Sequence, residues 1–177
     1  MTISVGDTLP DAEFTVMADE GPTGRKSEDI FKGRKVVLFA VPGAFTPGCS
    51  MTHLPGFVVK VDEIKAKGVD EVICTSVNDV FVMHAWGKNQ NAEHLTMLAD
   101  GNGALATALG LTMDASGFEM GPVRSQRYAM IVNNGIIEAF LPEEGFRDNA
   151  DDDPYGESSP QNVLEVLKGL EVTGAPV

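Results

Sequence analysis

Basic residues are scarce in this chain. Thirteen Lys and Arg face 26 Asp and Glu, a formal net charge of −13. Nucleic-acid binding needs clustered cations along the phosphate backbone, so the composition argues against DNA and RNA as partners. An anionic membrane surface is disfavoured on the same ground. Long apolar runs are also missing: none approaches the ~20 residues of a membrane-spanning helix. The opening stretch MTISVGDTLPDAEF has no basic start and no apolar segment, so it does not read as a secretory signal. Cysteine is nearly absent. Cys49 and Cys74 are too few for a disulfide framework, and a reducing, cytoplasmic setting fits them best. Neither belongs to a C-x-x-C dithiol motif. No Cys, His and carboxylate stand together at metal-ligand spacing, and no glycine-rich phosphate fingerprint occurs, so neither a metal nor a cofactor is expected.

What remains is an ordinary globular composition over 177 residues, 43% hydrophobic and 22% charged. That suits one domain spanning 1–177 with a sizeable core. Residues 1–34 read as an extended, turn-rich opening. The run VVLFAV at 36–41 is continuous and apolar, as in a strand buried on both faces, and Pro42-Gly43 stops it. A helical pattern starts near Thr46, with Leu54, Phe57, Val58, Val61 and Ile64 on one face and Gly68 placed for a left-handed cap. Pro55 predicts a kink or break within it.

A second buried strand is expected over 72–77. Asp79 would cap a helix over 80–89 with Val82, Ala85 and Trp86 inward. A short strand at 95–98, a turn at 100–103 and a short helix at 104–109 follow, then a Gly- and Met-rich loop over 112–124. Residues 127–132 and 136–141 pair through an Asn133-Asn134-Gly135 turn. An acidic loop over 142–157, with Asp151, Asp152 and Asp153, leads to a last helix from Ser159-Pro160 carrying Val163, Leu164, Leu167 and Leu170. The order βαβα, β, hairpin, helix predicts an α/β fold on a mixed sheet.

The chemistry gathers at Cys49. A thiolate is the reactive form of cysteine, and a helix N-terminus or a nearby cation favours it. Cys49 meets the first condition if the helix begins at Thr46 or Pro47. Thr46 would bring its hydroxyl to the same place, and Pro42 and Phe45 would screen the sulfur from water. Cys74, inside a buried-strand pattern, reads as an inert core thiol. His53 lies about one helical turn past Cys49, a poor position for a general base. His84 and His94 carry no motif and read as surface or satisfied residues.

Pro42-Gly43-Ala44-Phe45-Thr46-Pro47-Gly48-Cys49 resembles the peroxidatic signature P-x-x-x-T-x-x-C of peroxiredoxins, and the continuation Ser50 to Phe57 resembles the peroxiredoxin-5 or type II subgroup. Val5-Gly6-Asp7, Ser76-Val77-Asn78-Asp79 and Arg127-Tyr128-Ala129-Met130 match by position. The resemblance implies a thioredoxin fold, a central mixed sheet flanked by helices, with the family's N-terminal extension. It implies a thiol peroxidase acting on hydrogen peroxide and organic hydroperoxides. Cys49 would be the peroxidatic cysteine, Pro42 its shield, Thr46 a hydrogen-bonding partner of the peroxide and Arg127 the cation beside the thiolate. Arg124 reads as a solvated surface charge.

Certain relatives carry a resolving cysteine near the start of the last helix, where this chain has Gly156-Glu157-Ser158-Ser159. One-cysteine recycling by glutathione, with or without glutaredoxin, is therefore expected, and thioredoxin comes second. The family also suggests a homodimer, to which apolar Phe118, Met120 and Val123 add weak support. Two other classes stay open: a redox-sensing or chaperone-like protein switched by Cys49 oxidation, and a cysteine hydrolase that would need His53.

Overall fold

The structure, a computed structural model, describes residues 2–145, 147–150 and 152–172, with side chains up to Leu170. Asp151 lies outside the described residues. Seven strands form one mixed sheet: β1 (Glu13–Ala18), β2 (Gly21–Lys26), β3 (Lys35–Ala40), β4 (Glu71–Ser76), β5 (Thr96–Ala99), and, after a two-residue pair β6 (Thr112–Met113) and β7 (Arg124–Ser125) of its own, β8 (Tyr128–Asn133) and β9 (Ile136–Pro142). Their spatial order is β2-β1-β5-β4-β3-β8-β9. β3, β4 and β5 run parallel, while β8 lies antiparallel to β3 and β1 antiparallel to β5.

The centre of the sheet carries the continuous apolar run. Residues 36–41 are fully buried, because β3 has helices over both faces. Side chains alternate between two cores. Val37 and Phe39 face one core with Val72, Cys74, Ala129 and Ile131, under helices α2 (Leu54–Lys65), α3 (Val80–Asn89) and α5 (Pro160–Val172). Val36, Leu38 and Ala40 face the other with Ile73, Met130 and Val132, under the shorter helices α1 (Ser27–Phe31) and α4 (Ala104–Leu109). This is the α/β sandwich that the pattern predicts.

Local signals account for the boundaries. Asp79 accepts a hydrogen bond from the Val82 amide at 2.9 Å and caps α3. Gly68, at φ +90°, ends the α2 region as expected. Asn134 and Gly135, at φ +50° and +77°, make the two-residue turn between β8 and β9. Three expectations are revised. Within 1–34 the extended, turn-rich opening is organised as the β1–β2 hairpin followed by α1. On α3, Met83 and Gly87 join Trp86 in the interior and Ala85 is exposed; Gly87 lets the helix approach so closely that a Cβ there would stand 2.8 Å from Met97. Within 112–124 the β6–β7 pair and a single turn of 3₁₀ helix replace an irregular loop. Among the described residues no helix is long and apolar enough to cross a membrane.

Candidate active site

The loop after β3 is held from three sides. The Thr46 hydroxyl donates to the Gly43 carbonyl at 2.6 Å, closing residues 43–46 into a tight turn. The Asn78 side chain accepts from the Ala44 amide at 2.9 Å, tying the loop to the end of β4. A Cβ on Gly43 would stand 2.9 Å from Met120 and 3.1 Å from Thr46, so only glycine fits this packing without displacement. Pro42 is buried. Phe45 takes a positive φ of 62°, stays 53% exposed and leans on the Trp86 ring, so it is less of a cover for the sulfur than expected.

Helical structure begins at Pro47, where a missing N–H costs least, and Cys49 falls in that first turn. Residues Cys49–His53 then form a π turn, with the Leu54 amide bonded to the Cys49 carbonyl. Pro55 has no N–H to give the Met51 carbonyl, and the ladder widens just ahead of it before α2 resumes normal spacing. The break expected at Pro55 is therefore a π turn. The Trp86 indole donates to Ser50 at 2.9 Å and pins its outer side.

Arg127, immediately before β8, reaches this turn from the strand next to β3. Its Nη2 stands 3.3 Å from Cys49 Sγ, and both residues are only 1% exposed. Its Nη1 donates to His53 Nδ1 at 2.8 Å. The outer edge of the guanidinium meets the Asp153 carboxylate, with Nη2 at 2.9 and 3.0 Å and Nε at 3.2 Å. Burial works against the Arg127 charge, but Cys49 and Asp153 more than offset it and hold its pKa above the usual guanidinium value. His53 is fully buried. Burial first, and the Arg127 charge second, push its pKa down to about 3, so the ring is neutral at physiological pH. With Nδ1 accepting from Arg127, the ring proton sits on Nε2 and is donated to the Ser158 carbonyl at 3.0 Å. Both nitrogens are committed away from the thiol, which removes the base that a cysteine hydrolase would need.

The geometry thus brings Cys49 and Arg127 into contact and sets Thr46 and Pro42 in the turn that leads to Cys49. A family model, Redoxin, matches residues 4–152 of the chain. A peroxiredoxin of Rhizobium etli is 46% identical over 144 residues, 81% of this chain and 80% of its own length. The chain is a peroxiredoxin. The crystal structure of reduced Prx3 in complex with hydrogen peroxide from Vibrio vulnificus superimposes with a TM-score of 0.87 at 46% identity, covering 94% of this chain and 99% of that one. The antioxidant protein (1-Cys peroxiredoxin) of Plasmodium falciparum gives a TM-score of 0.88 at 30% identity over 94% and 99%. Peroxiredoxins are thiol peroxidases, and that activity is the family's statement about this chain.

Two features of this peroxiredoxin lie beyond what the sequence shows, and a third, the buried Cys74, is as expected from it. Arg124 is not a solvated charge: it is half-buried, and its guanidinium donates to the carbonyls of Met120 at 2.8 Å and Val77 at 2.9 Å, fastening the 112–124 segment beside Gly43. The segment before α5 is part of the site, not a bystander loop. Asp153 caps Arg127, Tyr155 sets its ring edge-on to His53 at 5.2 Å, and the Ser158 carbonyl accepts a hydrogen bond from His53 Nε2. An aromatic residue after Asp153-Pro154, in an otherwise acidic stretch, is the one local hint of this. Cys74 is fully buried in β4, and burial, with Cys49 second, raises its pKa well above the ordinary thiol value. Among the other histidines, His94 is exposed and His84 half-buried, in keeping with surface positions.

Proposed function

We propose that Cys49 is the peroxidatic cysteine of this peroxiredoxin, reducing hydrogen peroxide and alkyl hydroperoxides and recycled as a lone thiol by glutathione, with glutaredoxin as the preferred protein partner. The observation that carries the reading is the contact between Cys49 Sγ and the Arg127 guanidinium inside the first turn of a helix. A guanidinium stays charged at any working pH, so it supports both the thiolate and the oxyanion that forms on the leaving side.

The Cys49 thiolate attacks the terminal peroxide oxygen in line with the O–O bond. An S–O bond forms, the O–O bond breaks, and the leaving hydroxide or alkoxide takes a proton to become water or an alcohol. His53 is not the source of that proton, since it is neutral and its N–H is spent on Ser158. Thr46 and the Cys49 amide orient the peroxide, and Pro42 limits water at the sulfur. A glutathione thiol then attacks the sulfenic acid, displacing water, and a second thiol releases glutathione disulfide and the Cys49 thiolate.

Support for one-cysteine recycling comes from the burial and raised pKa of Cys74 and from Ser158 and Ser159 standing where a resolving cysteine would be. The cytoplasm, where thiols stay reduced, suits two unpaired cysteines. A homodimer suits the exposed Phe118 and Val123.

Intact mass tests this directly. One equivalent of hydrogen peroxide should add one oxygen, and glutathione should convert that product to a mixed disulfide. Cys49→Ser should lose both changes and Cys74→Ser should keep them. Loss of two hydrogens in place of a gain of oxygen would mean a Cys49–Cys74 disulfide and would favour thioredoxin as the reductant.

A further inference from the structure

The outermost charged group of the site is a carboxylate. Cys49 and Arg127 are each 1% exposed, whereas the Asp153 side chain is 45% exposed, so a solute approaching the guanidinium edge meets Asp153 first. Asp153 is also closely seated. Its carboxylate lies so near Gly48 that a Cβ there would overlap it, and it takes both Nε and Nη2 of Arg127. Those two donors form the fork with which arginine ordinarily binds an oxyanion in bidentate fashion. Of the five N–H groups a guanidinium carries, His53 takes one on Nη1, Asp153 takes those on Nε and Nη2, and the second N–H of Nη2 faces Cys49.

We propose that Asp153 sets the charge selectivity of the peroxidase: by filling the outer fork of Arg127 it excludes anionic hydroperoxides and leaves the thiol open to neutral ones. The proposal rests on Cys49 being the peroxide-reactive thiol. A neutral peroxide needs only a single donor and an in-line approach to the sulfur. An anionic one is drawn to the guanidinium fork, finds it occupied, and is repelled by the occupant. The reaction is otherwise the same for both. With peroxymonosulfate as the anionic probe, the Cys49 thiolate attacks the terminal oxygen, the S–O bond forms, the O–O bond breaks, and sulfate leaves with the electron pair.

The test compares second-order rate constants for loss of the Cys49 thiol with hydrogen peroxide and with peroxymonosulfate, at fixed pH and ionic strength. Asp153→Asn and Asp153→Ala should each raise the peroxymonosulfate-to-hydrogen-peroxide ratio about tenfold, the scale of removing one partly screened like charge a few ångströms away. Asp152→Asn is the control. Asp152 pairs with Arg147 at 3.6 Å on the exposed surface, and its removal changes the net charge equally. Its ratio should move less than about twofold. An unchanged ratio in the Asp153 variants, or an equal rise in Asp152→Asn, would overturn the proposal. A wild-type protein whose Cys49 reacts with neither peroxide would instead remove the Cys49 assignment on which it stands.

Discussion

His53 touches a carbonyl with one nitrogen and a guanidinium with the other, and only the neutral ring satisfies both. Its role is to hold Arg127 in plane: Nδ1 fixes the inner edge of the guanidinium while Asp153 fixes the outer one, leaving Nη2 directed at Cys49. Arg127→Ala should therefore slow oxidation of Cys49 by hydrogen peroxide at least about 100-fold, the usual effect of losing a preorganised donor to a developing oxyanion. Arg127→Lys should recover little of this. An ammonium carries the charge but cannot present three coplanar donor directions to His53, Asp153 and Cys49 at once. Stopped-flow rate constants for the two variants decide the matter, and a lysine variant close to wild type would show that charge alone suffices.

At the scale of elements, the turn before α5 is organised by one carboxylate. Glu143, buried just past β9, accepts from the amides of Gly156, Glu157 and Ser158 at 2.9 to 3.0 Å and from the Ser158 hydroxyl at 2.6 Å. That cradle aims the Ser158 carbonyl at His53. Glu143→Gln keeps the shape but turns one acceptor into a donor facing donors. It should cost about 2 kcal/mol in urea unfolding, in the range for an unsatisfied buried polar group, and should slow peroxide reduction through a loosened His53. Unfolding curves that overlay wild type would count against the cradle. None of this was legible in the sequence, because Glu143, Asp153 and Ser158 meet residues about 100 positions away or across a loop, and such contacts leave no local period. The β3–Cys49 stretch was legible for the opposite reason. A strand covered on both faces shows as an unbroken apolar run, and Pro42, Gly43, Pro47 and Pro55 each mark a backbone constraint where they stand. The β1–β2 hairpin has no clear sequence signal because β2, GPTGRK, is an edge strand whose polar, mostly exposed residues look like a turn. Arg124 looks like a surface charge in the sequence because its partners are backbone carbonyls, which no side-chain pattern announces.

For the whole molecule, the buried neutral histidine links the site to acid stability. In the unfolded chain His53 titrates near its ordinary value of 6.5, whereas in the folded protein it does so at about 3. Between those values the unfolded state binds the extra proton, so stability is complete above about pH 6.5 and falls as pH drops through the window. The slope approaches about 1.4 kcal/mol per pH unit. Glu71 acts lower down. Burial opposes its charge, but Arg25, Thr96 and Arg34 bind its carboxylate and bring its pKa from 4.5 to about 2, so its contribution is present above pH 4.5 and lost only as pH falls toward 2. The interval from pH 7 to 5 therefore isolates His53. Wild type should lose about 2 kcal/mol across it. His53→Gln, which keeps an N–H for the Ser158 carbonyl and does not titrate, should start less stable but show a slope flatter by that amount. Urea unfolding at both pH values measures the difference, and parallel losses in the two proteins would mean that His53 takes up its proton without unfolding the chain.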